Sequence, residues 1–136
     1  MIKTSNTTKD ITQTKEIPNS EKLLSIILSL LEDRKAVDIR TINLKDKSTI
    51  GDFMVLASGQ SSRQVITLSN YVMRTLKNVG ISGTKPEGAK NGDWILIDAG
   101  DIILHLFRPE VREFYNLEKM WEAYMASPDE GENLLE

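Results

Sequence analysis

Three places in the sequence carry residue types that could do chemistry. Asp98 and Asp101 flank the dipeptide Ala-Gly, and paired carboxylates can hold a divalent ion for nucleotidyl transfer. Such pairs normally project from one face of one strand, whereas these sit on either side of a turn, where Asp beside Gly is ordinary turn chemistry. "SGQSS", residues 58–62, precedes a helical pattern and resembles a phosphate cradle, because free N–H groups and the helix dipole attract anions. It lacks the GxGxxG spacing and the lysine of a P-loop, and helix capping explains it equally well. His105 is the only histidine and there is no cysteine. A metal role therefore has no support, thiol catalysis and disulfides are excluded, and no nucleophile motif accompanies the imidazole.

A different feature stands out in "HLFRPEVREFYNLEKMW", residues 105–121. Phe107, Phe114, Tyr115, Trp121 and nearby Tyr124 are five of the chain's aromatics, which comprise three Phe, three Tyr and two Trp. They alternate with Arg108, Arg112, Glu113 and Glu118. Trp, Tyr and Arg dominate interface energetics because they bury large area and keep a polar handle. Glu110, Glu113, Glu118 and Glu122 interrupt the stretch, so it does not face a membrane. On composition alone, closure of the core and a surface covered by another molecule are both open.

The elements that must position these residues follow from periodicity. Asn19 or Ser20 can cap a helix that carries Leu23, Leu24, Ile27, Leu28, Leu30 and Leu31 on one stripe and fades near Arg34 and Lys35. "VDIRTINL" alternates as a strand with one buried face, and "DFMVLAS" is the continuous apolar run of a central strand. Ser61 and Gln64 have capping-box spacing at the start of a helix that Gly80 ends. "ISGT" is a weak strand signal and "KPEGAKNGD" reads as a loop. "WILID" and "DIILHLF" around "AG" form a hairpin, which Pro109 stops. From Val111 to about Ala126 the period is mostly helical, with an interruption at Tyr115 to Leu117. In the second hairpin strand, Ile102, Leu104 and Leu106 face the core, and Ile103, His105 and Phe107 face the other way. This order predicts an α/β or α+β fold, a mixed sheet with flanking helices.

The 136 residues suit one domain, residues 19–126, between a Thr/Lys-rich disordered tail over 1–18 and an acidic tail over 127–136. The longest aliphatic runs are too short or too interrupted to span a membrane, and the N-terminus has neither a signal-peptide core nor a transit-peptide composition. A cytoplasmic protein is expected. The net charge of −3 argues against a nucleic-acid binder and favours a positively charged protein partner.

"DWILIDAGDIILHLFRPEVREFYNLEKMWEA", Asp93 to Ala123, closely resembles the ribosomal silencing factor family, also called RsfS, YbeB or Iojap. Trp94, Asp98, His105, Phe107, Arg112, Phe114, Tyr115, Leu117, Glu118 and Trp121 follow its pattern in order, and "DFMVLASGQSSRQV" is similar to its second signature. The resemblance implies a non-enzymatic protein with a nucleotidyltransferase-like core that lacks catalytic carboxylates and needs no cofactor or metal. It further implies binding to the large ribosomal subunit through ribosomal protein L fourteen (uL-fourteen), which blocks small-subunit joining and represses translation when nutrients are short. A homodimer using the same surface is also implied. The docking residues expected from physics and resemblance together are Trp94, Asp98, Asp101, His105, Phe107, Arg112, Tyr115, Glu118 and Trp121. The alternatives are a nucleotide-binding enzyme using Ser61, Ser62, Asp98 and Asp101, or an assembly factor of the large subunit.

Overall fold

Asn19 opens the first helix by accepting the Lys22 N–H at 2.8 Å, which satisfies one of the free donors of the first turn. The structure, a computed structural model, describes residues 16–88, 91–116 and 118–119. Helix α1 is Ser20–Asp33, followed by strands β1 (Val37–Asn43) and β2 (Phe53–Ser58), helix α2 (Ser62–Asn78), the hairpin β3 (Trp94–Asp98) and β4 (Ile102–Phe107), and helix α3 (Pro109–Tyr115). The expected tails and Trp121 lie outside the described residues, apart from Glu16 to Pro18.

The strands form one mixed sheet in the order β1-β2-β4-β3. β2 is antiparallel to β1 and parallel to β4, and β3 is antiparallel to β4. The expected mixed sheet with flanking helices is the one observed. β2 is buried along its whole length, as its unbroken apolar run predicts for an inner strand. The weak signal at "ISGT" gives no strand; only Glu87 bridges to Leu96 nearby. Gly83, with φ +85, takes a conformation that strand pairing does not use.

α1 and α2 cover one face of the sheet. Leu23, Ile27 and Leu31 of α1 and Val65, Leu68, Val72 and Leu76 of α2 meet Val55, Ile95, Ile97, Ile102, Leu104 and Leu106 in the main core. The opposite face holds a smaller cluster of Ile42, Leu44, Met54, Leu56 and Phe107, with Trp94 and Val111 packed against it. Strand alternation thus divides β4 as expected. The face of Ile102, Leu104 and Leu106 lies under the helices, and that of His105 and Phe107 lies away from them.

Both long helices end in the same motif, in which two later N–H groups return to carbonyls of the last turn. In α2 the left-handed position is Gly80 (φ +98), with Ile81 N–H bonded to Leu76 O at 2.8 Å. In α1 it is Lys35 (φ +68), with Ala36 N–H bonded to Leu31 O at 2.9 Å. A side chain in that conformation is strained and glycine is not. Lys35→Gly should raise stability by about 0.5–1 kcal/mol. The check is an increase in the urea midpoint at unchanged slope.

Candidate functional site, an aromatic platform at one end of the sheet

The strand register sorts the candidate residues by position. Phe53 faces Ile102 and Ser58 faces Phe107 across the parallel pair, so the two ends of the sheet are about 17 Å apart. Asp98 and Asp101 belong to the hairpin turn at the Phe53 end, whereas Ser61 and Ser62 follow Ser58 at the other. These four side chains do not converge, so they cannot form a single nucleotide site.

Three of the four also have a local structural role. Asp98 accepts the Gly100 N–H at 3.0 Å, closing its turn, and the Asp101 carbonyl accepts the Asp52 and Phe53 N–H groups at 2.7 and 3.1 Å. Ser61 caps α2 by accepting the Gln64 N–H at 3.1 Å, and Gln64 Oε1 reaches back to the Gln60 N–H at 2.7 Å. The return bond falls on Gln60 rather than on Ser61 as a regular capping box would have it. Gly59 is required for close approach, since a Cβ there would lie 2.9 Å from the Val65 side chain. The likeness of "SGQSS" to a phosphate loop is thus met by helix capping and packing.

The other end of the sheet gathers the rings. Trp94 pairs with Phe107 across the hairpin, which makes His105 its diagonal neighbour. The Trp94 ring centroid lies 5.9 Å from His105, 5.5 Å from Phe107 and 5.0 Å from Tyr115. Phe114 meets Tyr115 edge-on at 5.0 Å. Trp94 Nε1–H donates to His105 Nδ1 at 3.0 Å, so the imidazole is the neutral tautomer with its proton on Nε2. His105 is only 8% exposed, and its burial lowers the pKa from 6.5 to about 4. With one nitrogen engaged and the ring enclosed, it supports Trp94 and has little to offer a substrate.

Phe107 is completely buried. The expectation that His105 and Phe107 touch a partner directly is therefore corrected. Phe107 closes the smaller cluster against Leu56 and Ile42, and both rings form the floor beneath Trp94 and Tyr115. Among the described residues, the exposed rings are Phe114, at 79%, and Tyr115, at 55%, while Trp94 is half-buried. Phe114 is absent from the expected docking set although it belongs to the same stretch. Helical period alone did not separate it from its neighbours, because α3 buries no residue on which a face could be defined.

Arg112 and Glu118 of the expected docking set are part-exposed and already hydrogen-bonded within the protein. Arg112 Nη1 donates to Ser58 Oγ at 2.9 Å and to the Asp38 carbonyl at 2.6 Å, while its Nε donates to Glu118 at 2.7 Å. A bulge in β1, with Asp38 at φ +51, supplies that carbonyl. Arg40 also pairs with Glu118, at 3.4 Å. The Arg112 hydrogen bond, aided by charge, holds the Glu118 carboxyl below its usual pKa against a modest desolvation cost. Arg112 thereby ties α3 to the sheet, with both side chains still part-exposed at its edge. Asn116 then breaks the helix in the left-handed conformation, within the expected interruption.

Two predictions follow from this arrangement. Arg112→Ala should cost about 1–3 kcal/mol, because it leaves the buried Ser58 hydroxyl without its partner and Glu118 with Arg40 alone; denaturant unfolding measures it. The second concerns pH. The folded pKa of His105, about 4 against 6.5, means that the unfolded chain binds the extra proton between those values. Stability is full above about pH 6.5 and falls by up to about 3 kcal/mol as pH drops toward 4. Glu118, with its depressed pKa, adds a loss in the same direction at lower pH, through the carboxylate range. Urea midpoints across this window should flatten in His105→Gln relative to the wild type; parallel curves would contradict the assignment.

Comparison with known proteins identifies the family. Residues 17–134 match the family model described as ribosomal silencing factor during starvation. The chain is 52% identical over 101 residues to the ribosomal silencing factor RsfS of Zymomonas mobilis, covering 74% of this chain and 76% of that protein. It is 32% identical over 116 residues to RsfS of Bacillus subtilis, covering 85% and 98%. A crystal structure of a Chromobacterium violaceum protein superposes with a TM-score of 0.72 at 34% identity, covering 79% of this chain and 87% of that one. On the family match, the relatives and the shared fold, the chain belongs to the ribosomal silencing factor family.

Proposed function

We propose that the protein silences ribosomes in the cytoplasm by docking its aromatic platform on ribosomal protein L fourteen (uL-fourteen) of the large subunit. Occupancy of that face keeps the small subunit from joining and lowers translation when nutrients are short. The observation that carries this reading is the pair of exposed rings, Phe114 and Tyr115, held on the Trp94–His105–Phe107 stack. Exposed rings on a fixed support bury area on contact with little loss of conformational freedom. No bond is made or broken in this mechanism.

Charge gives the patch its preference for a basic partner. Asp98 and Asp101 at the far end of the hairpin are exposed, as is Glu113 beside the rings. Glu113 lies at the rim and helps to fix orientation, whereas Asp98 and Asp101, about 17 Å away, act on encounter alone. A second copy of the chain would bring the same acids against them, so self-association through this face competes with docking and is weakened by low salt.

Isolated large subunits mixed with the protein and then with small subunits should yield fewer joined particles on a density gradient. Phe114→Ala removes an exposed side chain and should leave unfolding unchanged, whereas Tyr115→Ala also removes a contact with Trp94 and should lower stability by about 1 kcal/mol. Together they should weaken docking by on the order of 2 kcal/mol, about thirtyfold in Kd. Unchanged joining at saturating wild-type protein would refute the steric mechanism.

A further inference from the structure

The outer face of α2 differs from the rest of this acidic chain. Arg63, Thr67, Asn70, Arg74 and Lys77 recur at helical spacing on the side opposite the buried Val65, Leu68, Val72 and Leu76, and all five are exposed. The helix contains three cationic residues and no acidic one, in a chain of net charge −3. Ordinary solvent-facing stripes intersperse both signs. Arg34, at the end of α1, extends the stripe sideways. Its guanidinium lies 3.8 Å from the centre of the Tyr71 ring, and that of Arg74 lies 5.3 Å from the same ring.

Among the described residues, none of Arg34, Arg63, Arg74 and Lys77 is ion-paired. Asp33 lines a groove with Thr75 on the flank of α2, off the axis of the stripe. These cation–π contacts draw both guanidinium groups to Tyr71 without using their N–H donors. Arg34 already occupies a face of Tyr71, so the ring is poorly placed to stack on a base. What remains is three exposed cations, Arg63, Arg74 and Lys77, along about 21 Å of one helix, enough to meet several phosphates of one nucleic-acid helix.

We propose that this stripe is a second contact surface, which takes the phosphodiester backbone of structured RNA in a sequence-independent way. It rests on the ribosome-docking reading for its setting, since there RNA lies beside any protein target. The platform and the stripe lie on opposite sides of the sheet, because α2 packs on the face away from Trp94 and His105. Rings would engage protein, and the helix would engage neighbouring RNA.

The test uses the full chain and the triple variant Arg63→Gln, Arg74→Gln, Lys77→Gln, whose altered side chains are all exposed. Three probes are used: isolated large subunits, purified ribosomal protein L fourteen, and a short RNA duplex at about 50 mM salt. The wild type should bind the duplex and the variant should bind it at least about tenfold more weakly. On large subunits, the slope of log K against log salt should fall by about 2 to 3, one step per lost phosphate contact. Binding to the isolated protein should not change. A wild type that ignores the duplex, or equal salt slopes on the subunit, overturns the inference. Loss confined to the isolated protein would overturn it in favour of an acidic protein partner. Failure of the wild type to bind either ribosomal probe, with duplex binding intact, would instead count against the docking reading.

Discussion

Arg112 reaches from α3 across the end of the sheet to Ser58 and to the carbonyl of Asp38, and its remaining edge holds Glu118. α3 has seven residues and buries none of them, and an isolated helix that short does not persist in water. Its place on the protein therefore depends on this guanidinium, on Val111 against the smaller cluster, and on Tyr115 against Trp94. The exposed rings can serve as a firm patch only because their backbone is anchored from below. Arginine suits the task because its planar fork satisfies several fixed acceptors at once, which a lysine could not do.

Beneath the patch, the two faces of the sheet receive unequal cover. Two long helices shield one side, and the other relies on five buried residues with Trp94 and Val111 at their margin. His105 sits among these residues as a neutral hydrogen-bond acceptor for Trp94. A phenylalanine there would leave the indole N–H without this partner, and a charged imidazole would be costly in so enclosed a place. The histidine is thus suited to holding a half-exposed tryptophan in one orientation, a requirement of any binding surface built from large rings.

The charges are segregated in a way that the total conceals. Exposed carboxylates border the hairpin and α3, whereas every charge on the outward stripe of α2 is positive. A molecule with a modest net charge can still carry fields of opposite sign on its two sides, each selecting its own kind of surface. That division suits a protein that occupies a composite target of protein and RNA, and it needs no catalytic group.

Much of this was legible in the amino-acid order. Caps at Asn19 and Ser61, the stop at Gly80, the unbroken apolar run of β2 and the hairpin around Gly100 are local features, decided by neighbours within a few residues, and they stand in the structure as read. So does the division of β4 into two faces, because alternation is a property of the strand itself. Tertiary structure alone decided which rings remain outside. Phe107 and Phe114 are the same residue type seven positions apart, yet one is sealed and the other is 79% exposed, since burial depends on what packs from distant parts of the chain. The separation of Ser61 from Asp98, and the hydrogen bonding of Arg112 and Glu118 within the protein, were likewise set by strand register and by a bulge at Asp38. The amino-acid order fixes how each segment bends; only the assembled sheet determines which side chains meet and which are left for another molecule.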